Sequence, residues 1–390
     1  MSLLHGPRLL ILILLVSLAS VAGVLFTPAL PSLTKEFGIP QATAQWSMTI
    51  FLFAYCLGQL PYGPLSNRFG RKKALFIGLD IALAGSLLCL FSNSFWLFCI
   101  GRFLQAIGAA AGLKVVFTMI ADQHQSADAT KTFSYVMMAF AVMPGIGVAI
   151  GGYLTVYFGW KGCFAFLALY TLVLSFLVRL LPETAKSLHK DALQMDKIVH
   201  GLRRQFKDPF LIWHSLLMGL GTSIIYIFAT VAPYLGIVEM GLTPDAYGLW
   251  ALLPPLGISI GLFFTARLSY QITPRVGMLS GILLSFVGVI VLAALFNVKW
   301  IVPATLFLPM VLIQTGFGLS FTFATSKALS EATDKSNASA VMQFTNMGIV
   351  AIATLVTGLC MPVGAAALAA VFGLIVILEC AVWLKLKAHH

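Results

Sequence analysis

Charge is what this sequence has least of. Only 9% of its 390 residues are Asp, Glu, Lys or Arg, against roughly 25% in an ordinary water-soluble domain. With 59% of residues hydrophobic, the chain cannot clothe its surface for water, and a soluble globular fold is excluded. Acids are scarcer than bases, 13 against 24. In a soluble protein that imbalance would point to nucleic acid, a reading the placement of the bases removes below. None of the six cysteines (Cys56, Cys89, Cys99, Cys163, Cys360 and Cys380) forms a C-x-x-C pair. A zinc site or disulfide framework is therefore not expected, and the cysteines read as packing residues. The seven histidines stand mostly outside apolar runs, with no metal-ligand or nucleophile–base spacing. That argues against an enzyme and against any metal or cofactor. Nor is there a polar stretch long enough to hold the soluble signalling domain expected of a receptor.

What the chain has instead is apolar runs. A spanning helix needs about 20 mostly apolar residues, and twelve runs qualify: 9–31, 45–65, 74–93, 96–120, 133–155, 161–181, 211–236, 245–266, 276–296, 300–325, 338–359 and 364–384. The first contains Ser20-Val21-Ala22-Gly23, a string like a signal-peptide cleavage site. The run continues past it, and later loops alternate consistently only if this segment is kept as a span. With the N-terminus cytoplasmic, nineteen bases face the cytoplasm and three (Lys35, Lys161 and Lys299) face outside, while Arg102 and Lys114 lie within runs. The positive-inside rule selects this orientation, so the net charge of +11 reports topology. The expectation is an all-α multi-pass protein in a lipid bilayer, both termini cytoplasmic, with no nucleic-acid partner. A polar segment divides it into a six-helix bundle at 1–181, a linker at 182–210 and a second bundle at 211–390. Arg275 lies 204 positions after Arg71, in a turn placed like Gly63–Lys73. Two pseudo-symmetric repeats of this kind build secondary transporters with a site at the midplane.

The turn Gly63-Pro-Leu-Ser-Asn-Arg-Phe-Gly-Arg-Lys-Lys73 packs four bases between two runs, and so short a charged turn cannot lie in lipid. It resembles the G-x-L-a-D-R-x-G-R-[RK] signature of the major facilitator superfamily at Gly63, Leu65, Arg68, Gly70, Arg71 and Lys72, with Asn67 at the acidic position. The resemblance implies that Asp122 partners Arg68 and Arg71, and that residue 67 latches onto the N-terminus of the eleventh helix. Asn67 brings no charge to that helix dipole, so the latch is weakened. Gly101-Arg102-Phe-Leu-Gln105-Ala106 resembles the family's R-x-x-Q-G, with alanine for glycine. Arg102 and Gln105 share a helix face, and the resemblance turns them toward a central cavity. An intramembrane arginine marks function by default. Pro144, Gly147, Gly151 and Gly152 resemble the antiporter signature of drug exporters, in the form used by the bicyclomycin-resistance branch, with Val148 replacing its second proline. The G-x-x-x-G register of Gly147 and Gly151 also allows plain close packing. Ala232-Pro233-Tyr234 through Pro244, and Gly316 through Ala340, are similar to the same branch.

The departures bear on mechanism. The branch carries an aspartate four residues before a Pro-Ala-Leu-Pro string; here Pro28–Pro31 is present and Val24 holds the acidic position. The acids clearly inside runs are Asp80 and Glu379, the latter close enough to the cytoplasmic end to snorkel. Asp80 lies ~10 Å past Lys73 and Lys114 ~12 Å before Asp122, counting ~1.5 Å per residue. Matching depth and opposite charge predict an Asp80–Lys114 pair, structural or coupling. Cavity candidates by resemblance are Phe26, Arg102, Gln105, Tyr226, Gln314, Phe317, Gln343 and Asn346. They describe an amphipathic pocket with one cation, suited to a lipophilic or weakly anionic solute. The expectation is a monomeric transporter of the bacterial inner membrane that exports a drug-like compound, or a metabolite such as a siderophore, linked to protons by alternating access. A metabolite importer or facilitator is the alternative.

Overall fold

The computed structural model describes residues 6–123, 127–185, 187–188, 192, 194–297, 302–332, 334–360 and 364–388; Lys299 and the first positions of the tenth run lie outside them. Among the described residues fifteen α-helices follow one another, and most breaks trace to proline or glycine. α1 (Gly6–Val24) gives way to a 3₁₀ turn at Thr27–Ala29 before α2 (Leu30–Phe37). Pro28 has no N–H for the Val24 carbonyl, and the Thr27 hydroxyl donates to it instead at 2.8 Å. α3 (Gln41–Gly58) stops ahead of Pro61, and α4 (Tyr62–Phe69) resumes. α5 (Arg71–Leu90) and α6 (Phe95–Gln123) follow, then α7 (Ala127–Val178), which turns at Gly159 with φ 65°. A short polar helix, α8 (Met195–Phe206), precedes α9 (Pro209–Pro233), whose first N–H groups are capped by Asp208. α10 (Pro244–Trp250), α11 (Leu253–Leu268), α12 (Pro274–Asn297), α13 (Pro303–Glu331), α14 (Lys335–Cys360) and α15 (Ala365–Ala388) complete the chain.

Among the described residues, ten helices are long and apolar enough to cross a membrane, where the sequence leads one to expect twelve. The counts differ at two places. The fifth and sixth runs are continuous in α7, whose apolar part spans 40 residues. Straight, that would measure about 60 Å, twice a hydrocarbon core, and the turn at Gly159 folds it back. α3 spends its first turns on Gln41, Gln45 and Ser47 and ends ahead of the Pro61 break, which leaves it too polar to qualify alone.

Helices α1 to α7 form one group and α9 to α15 a second. They meet along two seams, α7 against α10 and α11, and α3 against α14. Within the groups, α5 lies on α6 and α12 on α13. Gly78 and Gly85 sit in the first contact and Gly281 and Gly288 in the second, the same pair recurring 203 positions later. Small residues let helices approach where lipid supplies no hydrophobic drive. The outward faces are apolar: Leu169, Leu172, Val173 and Phe176 on α7, and Leu283, Phe286, Val287 and Ile290 on α12, are exposed. Water would not tolerate patches of that size; lipid does.

Candidate functional site

The seam between the groups is tight at one end and open at the other. At the tight end a Cβ on Gly152 would lie 2.3 Å from the Pro244 carbonyl oxygen, and one on Gly248 would lie 2.9 Å from Ala149 Cα. The other face of α7 seats α1: a Cβ on Gly151 would fall 1.6 Å from the Leu25 oxygen, and Gly147 lies over Val21. Gly151 thus has no room for any side chain. Pro144 is half-buried just before this stretch. Tyr234 donates across the groups to the Leu30 carbonyl at 3.5 Å.

Along α3 and α14 the seam passes from close contact to a cavity. It is closed where Gln45 meets Gly358 and where Thr49 meets Thr354 at 3.5 Å. Past the Cys56–Phe344 contact it parts into a cavity of about 240 Å³ lined by Gln59, Leu113, Lys114, Phe117, Thr118, Ser339, Ala340 and Gln343. Buried polar atoms without a hydrogen-bond partner mark the seam and its surroundings: Gln45 Oε1, Tyr55 OH, Gln59 Nε2 and Asn346 Oδ1. Native interiors leave few such groups, and a passage that admits water or solute is where they are tolerated.

Of the expected cavity set, Gln343 lines this space, together with Lys114, which was expected to pair with Asp80. Asn346 sits behind, its Nδ2 donating to Gln343 at 3.4 Å, and Tyr226 lies beside Tyr55. Gln314 and Phe317 are buried within the second group. Phe26, Arg102 and Gln105 do not face the cavity. They are enclosed in the first group at 0–1% exposure, because the break in α1 draws the arginine inward. Gln59 also lines the cavity; its signal in the sequence is a glutamine in an apolar run next to a Leu-Pro break.

Arg102 is held by the end of α1. The last carbonyls of a helix have no intrahelical donor, and Arg102 donates to those of Ala22 at 2.7 Å and Gly23 at 3.4 Å. It also donates to Gln105 Oε1 at 2.5 Å, and Gln105 Nε2 donates to Ser86 at 2.8 Å. The guanidinium stacks 4.1 Å from Phe51 and 4.4 Å from Phe26. A cation at a helix C-terminus is favoured by the dipole, which explains how Arg102 is buried without a carboxylate. Phe51 in turn stacks on Tyr55, so an aromatic relay connects the cation to the seam.

The expected Asp80–Lys114 pair is not formed. Asp80 is exposed on the outer face of α5 in a shallow pocket with Phe69, Lys73, Phe76 and Ile77, whereas Lys114 turns into the seam beside Gly63. Depth matched but azimuth did not. Glu379 does not snorkel either; it is 2% exposed, and a Cβ on Gly221 would lie 2.8 Å from its Oε1.

The stretch expected as a charged turn is helical, α4 and the first turn of α5 broken only at Gly70, and it closes on its own half. Arg71 donates to Asp122 at 2.8 Å and to Asn67 Oδ1 at 2.7 Å, and Thr184 donates to Asp122 at 3.0 Å. Arg68 follows Asn67 in the last turn of α4. Glu183, given no role by the sequence, caps α5 by accepting from the backbone N–H of Arg71 at 3.0 Å and Lys72 at 3.1 Å. Gly70 has φ 95°, and a Cβ there would press within 2.7 Å of that carboxylate. Partial burial disfavours the charged carboxyl, yet the N–H groups of Ala185, Arg71, Lys72 and Thr184 outweigh it and hold Glu183 below the ordinary range. Asn67 is thus occupied by Arg71 rather than latched to the eleventh helix. The N-terminus of α14 already has its own cap, Asp334, which accepts from Asn337 N–H at 3.1 Å.

Residues 12–354 match the family model described as Major Facilitator Superfamily. An uncharacterized transporter of Rickettsia felis is 28% identical over 79% of this chain and 78% of its own length. Multidrug resistance protein D of Escherichia coli is 25% identical over 82% and 80%. Other relatives are named as chloramphenicol and bicyclomycin resistance proteins. The partially occluded, inward-open structure of the E. coli xylose transporter XylE superposes with TM-score 0.76, covering 97% of this chain and 96% of that one at 15% identity.

Proposed function

The chain belongs to the major facilitator superfamily and is a multi-pass membrane transporter, and on that premise we propose that it exports a small organic molecule by alternating access, driven by protons. The observation that carries this reading is the seam, tight at Gly152–Pro244 and open at Gln59–Lys114–Gln343. A rocking transporter needs this asymmetry in one of its two states. Twelve spans follow when α7 is counted as two and the α3–α4 segment as one. The two bundles, 1–181 and 211–390, then rock about the linker 182–210, both termini lie in the cytoplasm of a bacterial inner membrane, and the cavity is open inward. Lys114 is the only charged residue among those lining the cavity. It suits a lipophilic solute that is neutral or weakly anionic, and the drug-resistance names of the relatives favour export.

The test is accumulation of chloramphenicol in inside-out membrane vesicles with and without an imposed pH gradient. Gradient-dependent accumulation, lowered by Lys114→Gln, is the expected result. Equilibration unaffected by the gradient would convert the reading to a facilitator, which the valine at position 24 also allows.

A further inference from the structure

The usual first-helix acid is absent, since Val24 is buried in its place, yet one carboxylate is enclosed in the second group. Glu379, on α15, is 2% exposed. It lies against α9 at Gly221, where a Cβ would sit 2.8 Å from Oε1 and 2.7 Å from the ring of Phe317 on α13. Glycine at 221 makes the space the carboxylate fills. We infer that Glu379 is the proton-carrying group of the transport cycle, placed where α9, α13 and α15 meet. The inference rests on the proposed exporter reading and names its coupling site.

The surroundings leave the acid no permanent counter-charge. Among the described residues no ion pair includes Glu379. On α9 the ionisable groups are His214, engaged with the Phe210 carbonyl at 2.8 Å, and Tyr226 at the seam. On α12 there is Arg275, at the first turn. On α13 there are Lys327 and Glu331, paired with each other. On α15 itself Cys380 is adjacent, and Lys385 and Lys387 lie in the last turn, the nearer ~9 Å along the axis. Burying an ionised carboxylate without a partner is costly, while the neutral acid can be buried once its hydroxyl is satisfied. Gln314, one turn before Phe317 on α13, has a buried Oε1 with no donor, an acceptor of the kind a protonated acid needs. The step is balanced by one proton: the carboxylate takes it up when rocking exposes the α9–α13–α15 junction to one side, and releases it when the junction is wetted from the other. Because α9 packs on α14 and carries Tyr226 beside Tyr55 of the first group, the change in charge acts on a helix that borders the seam.

The experiment uses the full chain in phosphatidylcholine vesicles. Infrared difference spectra taken across a pH series follow the carboxyl C=O band, which needs no solute. In the same vesicles chloramphenicol is measured both for accumulation under a pH gradient and for exchange without one. A titrating carboxyl band that vanishes in Glu379→Gln and returns shifted in Glu379→Asp, with gradient-driven accumulation lost and exchange kept in Glu379→Gln, supports the site. An unaltered band together with undiminished gradient-driven accumulation in Glu379→Gln overturns it and leaves the exporter reading standing. A Glu379 band that titrates in a protein moving no chloramphenicol supports the proton site and overturns the exporter reading instead.

Discussion

Among the described residues, each half of the molecule buries one Asp, Glu, Lys or Arg side chain without an ion-pair partner, and the two are handled oppositely. Arg102 in the first group is surrounded by permanent acceptors, namely the Ala22 and Gly23 carbonyls and Gln105, and by the rings of Phe26 and Phe51. Glu379 in the second group faces a glycine and a phenylalanine. A charge neutralised by a helix end is locked in place; one with no such backing must change protonation state or be exposed. The first arrangement is structural and the second is suited to a moving part. The same inequality runs through the two charged turns. Arg71 is anchored to Asp122 and Asn67, whereas Arg275 at the start of α12 makes no side-chain hydrogen bond or ion pair among the described residues.

The comparison breaks first at Arg102. Arg102→Ala should lower stability by about 3–5 kcal/mol, since it orphans the α1 carbonyls and opens a cavity, as read by thermal unfolding in detergent. Arg102→Lys should recover only part of this, because an ammonium cannot both bridge two carbonyls and stack on a ring. Glu379→Gln, by contrast, should stay within about 1 kcal/mol of wild type at neutral pH; equal losses at the two sites would erase the distinction. The turns give the next contrast. Arg71→Ala should cost about 1.5–3 kcal/mol through its charged hydrogen bonds, and Arg275→Ala within about 0.5 kcal/mol, by the same unfolding assay.

A smaller effect separates the halves by pH. Glu183 has its carboxyl held below the ordinary value, so its cap contributes fully above the unfolded glutamate value of about 4.3. That contribution fades as pH falls through the lower folded value. After correction for intrinsic rates, hydrogen exchange at Arg71 and Lys72 should lose protection in acid, and Glu183→Gln should flatten that dependence. Smallest is Asn67→Asp. With Arg71 already donating to residue 67, the added charge should strengthen the first-half network by no more than about 1 kcal/mol. Crosslinking across the open end of the seam would show whether the acid instead reaches α14 and shifts the population toward closure.

Much of the fold was legible because lipid imposes length and hydropathy on anything that crosses it. Even so, Gly159 joined two expected spans and Pro61 shortened another, since a run of apolar letters does not say where a helix bends. The pairing of the loop arginine Arg71 with Asp122 could be read through the family resemblance, and the close approach of Gly147 and Gly151 from their spacing. Glu183 could not, because a cap is made by a carboxylate arriving from over a hundred residues away.

Sequence alone determined the membrane environment, the charged stretch at Gly63–Lys73 between two apolar runs and the burial of an arginine in the fourth run, since each depends on composition or on neighbours along the chain. Only the tertiary structure decided what that arginine touches, that Asp80 and Lys114 point apart, and that Glu379 faces inward at Gly221. Depth along a helix follows from counting residues. Direction around it is settled by the helices that pack alongside, and no count along one segment contains them.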